Sequence, residues 1–263
     1  CLSWSHPAPP PFLFVHVHLR NTREETVPIY WWSNIAVDET PGTRVLAPAE
    51  KAFFFNYGRA VYKAPMPDYE GKDASYPAKI DHSMDLFFDL PKGQRKWEAA
   101  INENGDGLIH ASTDLLQGRK LFLWGSGSGG RRWQTFLSQP GEAYIEIQAG
   151  LANTQMEHLP MEAGASWDWL EAYGPIKGEP EKIHNIPWND AWPYVDSLLD
   201  GMLPKAELDR LLAEAIEEGK TPGQPLYSGS GWAALELLRQ GKENFPGESA
   251  KFPPDSLGPD QQP

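Results

Sequence analysis

The most constraining feature of this chain is a succession of short alternating segments between Phe12 and Tyr173, separated by turn-forming residues every 8–12 positions. FLFVHVHLR (Phe12–Arg20) sets the pattern, and runs of this length with period two read as half-buried strands. Further strands are expected at 27–37, 44–47, 52–57, 84–89, 97–101, 107–112, 120–125, 133–137, 143–149, 155–159 and 166–173. PKGQ and NENGDG mark turns between them, and Asn-Gly and Asp-Gly pairs favour hairpins. The first two strands are expected to pair as a hairpin, and 63–78, rich in Pro, Gly, Asp and Tyr, reads as a long surface loop. With no helical period before Tyr173, the expected architecture is an antiparallel β-sandwich.

The texture changes after Gly174. GPIKGEPEKIHNIP reads as a linker, so the division expected is a β domain over 1–174, a linker over 175–188, helices over 189–240 and a linker or disordered tail over 241–263. Asn189 or Asp190 is placed to cap a helix ending at Leu199. Leu208, Leu211, Leu212 and Ala215 recur at helical spacing within 205–218, and GWAALELLRQ (231–240) suggests one more turn of helix. No period repeats among them.

Charge and cysteine content narrow the function classes. A formal net charge of -13 argues against nucleic acid and anionic membrane surfaces, which need clustered Lys and Arg, and favours a neutral or cationic ligand. Cys1 is the only cysteine, so no internal disulfide forms and no Cys metal site exists. His16 and His18 form an H-x-H pair without a third histidine motif, so no metal is expected, and no cofactor motif is complete. No apolar run approaches the roughly 18 residues of a membrane helix. A cytoplasmic location is expected. The chain begins CLSWSHPAPPP and ends SLGPDQQP, and it is read as a piece of a longer protein.

Candidate chemistry gathers in 121–155. On a strand, Tyr144, Glu146 and Gln148 share one face, opposite Ala143, Ile145, Ile147 and Ala149. A ring, an acid and an amide together suit a polyol, although an outward acid on a strand is also an ordinary solvated residue. The 11 Trp, 11 Phe and 9 Tyr supply flat surfaces for sugar C–H faces, or core and rim packing. Trp167 and Trp169 share a face with Glu171 and admit either reading. Trp31 and Trp32 point to opposite faces, one toward the core and one toward a cleft. Gly125, Gly127 and Gly130 fit G-x-G-x-x-G, but the dinucleotide reading needs a helix directly afterwards, and RRWQTFLSQPG reads as strand. The glycines are therefore taken as a loop at the mouth of a cleft, from which Arg131, Arg132, Trp133 and Gln134 reach a ligand.

YIEIQAGLANTQ followed by LPMEAGASWDWLEAYG resembles the closing segment of the galactose-mutarotase-like superfamily. Over 13–173, YWWSNIAV, GRKLFLWG, GGRRWQTFLS and EIQAG make the chain similar to an uncharacterised bacterial family of that superfamily, often placed ahead of tetratricopeptide repeats. The resemblance implies a mainly β, antiparallel β-supersandwich, incomplete at its N-terminus, followed by a short α-helical segment. It implies that Glu146 is the general base toward an anomeric hydroxyl, with Gln148 and Gln155 as sugar contacts. The histidine that mutarotases carry near the strand matching Tyr30–Asn34 is absent, while Asn34 remains. His110, His158 and the Asp81/His82 pair are candidates for the missing acid, of which His110 is taken first. A glycosidase would need a second carboxyl, for which Asp114, Glu157 and Glu171 are candidates.

The expected function is thus a carbohydrate-active protein that binds a neutral sugar or glycan on a sheet face and acts at the anomeric carbon. Catalytic roles fall on Glu146 and His110, and sugar contacts on Tyr144, Gln148, Gln155, Trp32, Asn34, Trp124, Arg132 and Trp133. The alternative is a non-catalytic glycan-binding or protein-interaction module, with protein partners carried by the C-terminal helices.

Overall fold

The computed structural model describes residues 12–58, 60–221, 235, 238, 239 and 241. In chain order the strands are β1 (Leu13–Arg20), β2 (Val27–Ile29), β3 (Trp32–Asp38), β4 (Arg44–Leu46), β5 (Lys51–Phe55), β6 (Tyr62–Pro65), β7 (Asp68–Tyr69) and β8 (Lys72–Asp73). They continue with β9 (Met84–Phe88), β10 (Lys96–Ile101), β11 (Asp106–Ser112) and β12 (Gly118–Leu123). Helix α1 (Ser128–Leu137) is followed by β13 (Tyr144–Gly150), β14 (Leu159–Met161) and β15 (Ser166–Lys177), then by α2 (Trp188–Met202) and α3 (Lys205–Glu218).

Two antiparallel sheets form the body. One runs β1-β15-β11-β10-β4 and the other β3-β13-β12-β9-β5-β6. Alternation decides which residues each sheet turns inward. Ile145, Ile147 and Ala149 of β13, Leu121 and Leu123 of β12, and Leu86 and Phe88 of β9 are buried on the inner face of the six-stranded sheet. The five-stranded sheet faces them with Trp169, Glu171, His110, Ser112 and Glu98. Ser33 of β3 hydrogen-bonds Glu171 of β15 (2.6 Å), and Arg119 of β12 hydrogen-bonds Ser112 of β11 (2.6 Å), so polar bonds cross the interior. An apolar cluster of Val17, Leu116, Ala149, Leu151 and Trp169 closes one end, with Trp31 packed edge-on to Trp169 at 5.3 Å.

The opposite face of the five-stranded sheet receives α2, where Trp97 donates to Asp196 (2.6 Å). Trp188, Ala191, Val195 and Leu199 recur at helical spacing and are buried. Arg44, fully buried, holds the preceding segment by donating to the carbonyls of Ile183 (2.5 Å) and Ile186 (3.2 Å). Helix α2 belongs to the same compact unit as the sheets, which ends at Ala213. Helix α3 has the bounds expected from its leucine spacing. The segment 231–240 and the tail lie almost wholly outside the described residues.

Several local expectations are corrected. β1 pairs with β15 and β3 with β13, so the first two segments are not a hairpin. Backbone pairing breaks at Tyr30 and Trp31, and the short β2, bearing Pro28, pairs instead with β14. The expected loop overlaps β6 and contains β7 and β8. Helix α2 starts at Trp188 behind Pro187, with no side-chain cap from Asn189 or Asp190. The largest correction is α1, where a strand was expected at 133–137. Its buried positions carry Gly130 and Gln134 while Trp133, Phe136 and Leu137 face out. With its apolar residues on the solvent side, α1 lacks the core-facing stripe by which helices are read.

Candidate functional site

The outer face of the six-stranded sheet is built by register. Glu146 pairs with Ala36 on one side and Phe122 on the other, and Phe122 pairs with Asp85. Gln148 lies between Asn34 and Lys120, and Gly150 between Trp32 and Gly118. Tyr144, Glu146 and Gln148 therefore share this face with Trp32, Asn34, Lys120, Phe122 and Asp85. Trp32 lies flat across Gly150, where a Cβ would occupy the space of its ring, and meets Phe87 edge-on at 5.9 Å. Of the adjacent tryptophans, Trp31 goes to the core and Trp32 to this face.

A chain of polar contacts crosses the face. Asn34 Nδ2 (2.7 Å) and Gln148 Nε2 (2.9 Å) both donate to Glu146 Oε2. Oε1 carries no hydrogen bond among the described residues, and Glu146 is half-buried. Gln155, arriving on the loop after β13, donates to Gln148 Oε1 (2.8 Å) and accepts from Lys120 Nζ (2.7 Å). Lys120 in turn pairs with Asp85 at 2.9 Å, both nearly buried, and Tyr57 donates to Asp85 at 3.3 Å. Burial first, then the charge and hydrogen bond of Asp85 and the charge of Glu146, push the Tyr57 hydroxyl well above the usual phenol range. It stays protonated and is a hydrogen-bond donor. Tyr57 adopts φ 60° and is 55% exposed. A bulky residue held in the left-handed region is uncommon and gathers at functional places.

Aromatic rings border the same face. Trp124 meets Phe122 edge-on at 4.7 Å and Tyr144 at 6.0 Å. Trp133 of α1 lies over Trp124 at 6.1 Å with 24° between planes. Arg132 is exposed on the same helix. The face thus offers a carboxylate oriented by two amides, a buried ion pair, a tyrosine hydroxyl and a bank of rings. Such a combination can hydrogen-bond a polyol and stack on its C–H face.

The structure brings together Glu146, Tyr144, Gln148, Gln155, Trp32, Asn34 and Trp124 on this face, with Trp133 reached through Trp124. It does not bring His110, which is fully buried on the inner face of the other sheet, stacked on Tyr173 at 4.3 Å. His110 Nε2 lies 3.1 Å from Glu171 Oε2. Burial lowers the His110 pKa, so the ring is neutral. Burial would raise Glu171, but His110, Ser33 (2.6 Å) and Tyr173 (2.7 Å) bring it down to about 2. Glu171 is therefore a buried structural anion, also bonded by Trp169 (3.0 Å), and both lie in the interior, away from the face of Glu146. Asp114 pairs with Lys205 at 3.1 Å, and Glu157 caps Thr154 at 2.9 Å. His158 stacks with Tyr30 at 5.4 Å. His82 lies between Asp81 (2.8 Å) and Tyr69 (3.0 Å).

Asp85, Lys120, Phe122 and Tyr57 were not among the sequence candidates. Alternation within MDLFF and GRKLFL places Asp85 with Phe87 and Lys120 with Phe122, but only strand pairing puts them beside Glu146. The glycine motif is also corrected, since a strand precedes it and α1 follows. However, β12 and β13 are antiparallel neighbours, so this is no parallel βαβ crossover for a dinucleotide. Gly130 instead lets α1 press against the carbonyls of Trp124 and Gly125, where a Cβ would collide. His16 and His18 both bond Asp168 Oδ1, at 2.8 and 2.9 Å, and no cluster of three metal-ligating side chains occurs among the described residues. No described helix is long and apolar enough to cross a membrane.

A solved TPR-domain containing protein from Parabacteroides distasonis ATCC 8503 is similar at 17% identity and TM-score 0.55, over 92% of this chain and 38% of that one. A putative aldose 1-epimerase from Escherichia coli K12 is similar at 13% identity and TM-score 0.47, over 64% of this chain and 57% of that one. A galactose mutarotase-like protein from Clostridium acetobutylicum is similar at 10% identity and TM-score 0.45, over 63% and 52%. The chain spans less than two thirds of each. The first shows a shared fold. The model of the family described as "Domain of unknown function (DUF5107)" matches residues 11–170, more than half of the sequence. The chain belongs to that family.

Proposed function

We propose that the outer face of the six-stranded sheet binds an uncharged sugar and that Glu146 acts as a base at its anomeric hydroxyl. The observation that carries this reading is the carboxylate itself. Two amide donors, Asn34 and Gln148, fix Oε2, which leaves Oε1 to take a hydroxyl proton. Phe122, Trp124 and Tyr144 form the apolar bed for the pyranose ring, and Tyr57 donates from the far side of Phe122. Glu146 and Asp85 stand two strand spacings apart, about 10 Å at Cα, across Phe122. The test is Glu146→Gln, which keeps the size and the amide contacts. Anomer exchange of a panel of aldoses, followed by NMR, is expected to fall by at least about 100-fold in the variant, within the range of a lost general base. Full activity in the variant would sink the assignment.

A second reading is a glycan-binding module without turnover. The position of His110 behind the sheet favours it, as does the engagement of Asp85 with Lys120, because no free acid then faces Glu146. Sugar affinity with no change of anomer or linkage would decide for it. In either case residues 1–174 are proposed as the sugar-handling part, and the helices after 188 as the part that carries protein partners.

A further inference from the structure

Helix α1 breaks the rule that folding alone imposes on a surface helix. Its protein-facing side is small and polar, with Gly130 against the preceding strand end and Gln134 donating to Glu39 at 3.3 Å. Its solvent side carries Trp133 at 54% exposure, Phe136 at 77% and Leu137. Rotating the helix to bury those rings is prevented at Gly130, where no side chain fits, and by the Gln134 anchor. Three large apolar residues held in water by a built contact contribute little to stability, and such patches usually mark binding surfaces.

The rings are not scattered. Phe122 on the floor beside Glu146 contacts Trp124 (4.7 Å), Trp124 contacts Trp133 (6.1 Å), and Trp133 contacts Phe136 (6.2 Å). The sequence of rings leads from the carboxylate, past the end of β12, and out along α1. The two outer steps are comparable to the length of one pyranose unit. Rings in succession offer apolar surface to the C–H faces of successive sugar units, whereas a protein helix would need a continuous aliphatic groove. The net charge of -13 selects against polyanionic glycans.

We infer that α1 is an extension of the Glu146 site: Trp133 and Phe136 hold the second and third units of an uncharged oligosaccharide whose terminal unit lies at Glu146. This inference rests on the sugar-binding reading above and names its substrate class, a hexose oligomer of at least three units rather than a free monosaccharide.

The intact chain is titrated with one- to four-unit oligosaccharides of the gluco, galacto and manno series, read by tryptophan fluorescence. Affinity is expected to rise about tenfold for each of the second and third units in at least one series, the gain of about one ring contact per step. Phe136→Ala is expected to abolish the third-unit gain and leave monosaccharide affinity unchanged. Trp133→Ala is expected to abolish both gains. Circular dichroism establishes that each variant is folded. Equal affinity for monosaccharides and longer chains overturns the inference while the site at Glu146 stands. A length-dependent gain that survives both variants overturns it as well. Absence of binding by every sugar, monomer and oligomer, overturns the inference and the sugar-binding reading together.

Discussion

Glu98 offers the sharpest test of how the interior is balanced. It lies on β10 with 0% exposure, facing the other sheet. Burial pushes its carboxyl well above the usual range. The Arg119 charge and the peptide N–H groups of Gln148 and Lys120 pull the other way, but none makes a hydrogen bond to either oxygen. Arg119 is satisfied elsewhere, by the carbonyls of Leu116 (2.9 Å), Gly118 (2.8 Å) and Lys96 (2.9 Å) and by Ser112. The charge of Glu171 also acts on it. A second anion would leave the interior with net negative charge, so Glu98 keeps its proton. The folded pKa is raised, so the native state holds a proton that the unfolded chain releases. Stability then falls as pH rises from the unfolded carboxylate range to the folded pKa, by about 1.4 kcal/mol per pH unit. Glu98→Gln mimics the neutral acid and cannot release a proton. In urea unfolding monitored by tryptophan fluorescence, the two proteins are expected to agree within about 1 kcal/mol near pH 4.5. The variant should gain on the parent as pH rises above the unfolded carboxylate value, by up to about 1.4 kcal/mol per unit for as long as Glu98 stays protonated. A gap that stays constant with pH would refute the reasoning. So would a variant destabilised by several kcal/mol at pH 7, because Glu98 would then be the charged partner of Arg119.

Glu171 has the opposite sign. Its pKa is lowered, so its stabilisation is present above the unfolded carboxylate value and is lost as pH falls toward about 2. Glu171→Gln should cost about 1.5–3 kcal/mol at pH 7, since it weakens the charge-assisted hydrogen bonds from Ser33, Trp169 and Tyr173, and its stability should vary less than the parent's on acidification. An equally steep acid profile in the variant would refute this. Tyr57→Phe should weaken sugar binding by about three- to tenfold, with little change in urea midpoint because the ring is largely exposed. Unchanged affinity would remove Tyr57 from the site.

Alternation in the chain was enough to indicate strands, a two-sheet antiparallel body and the face shared by Tyr144, Glu146 and Gln148. Those properties are local: a side chain on a strand points opposite to its neighbour whatever lies across the sheet. The leucine spacing of α3 was readable for the same reason. Pairing is not local. That Phe122 separates Glu146 from Asp85, that Lys120 bridges Asp85 and Gln155, and that Asn34 reaches Glu146 depend on which strands lie side by side. His110 has the same alternation signal as a residue on an open face, and only the packing of one sheet on the other puts it in the interior beside Glu171. Helix α1 was hidden because its apolar residues face water, so its periodicity points away from the core. The sequence by itself determined most of the strands and one face of the candidate site; the tertiary structure decided the neighbours across that face, the burial of His110 and the outward rings of α1, because these depend on contacts between residues far apart in the chain.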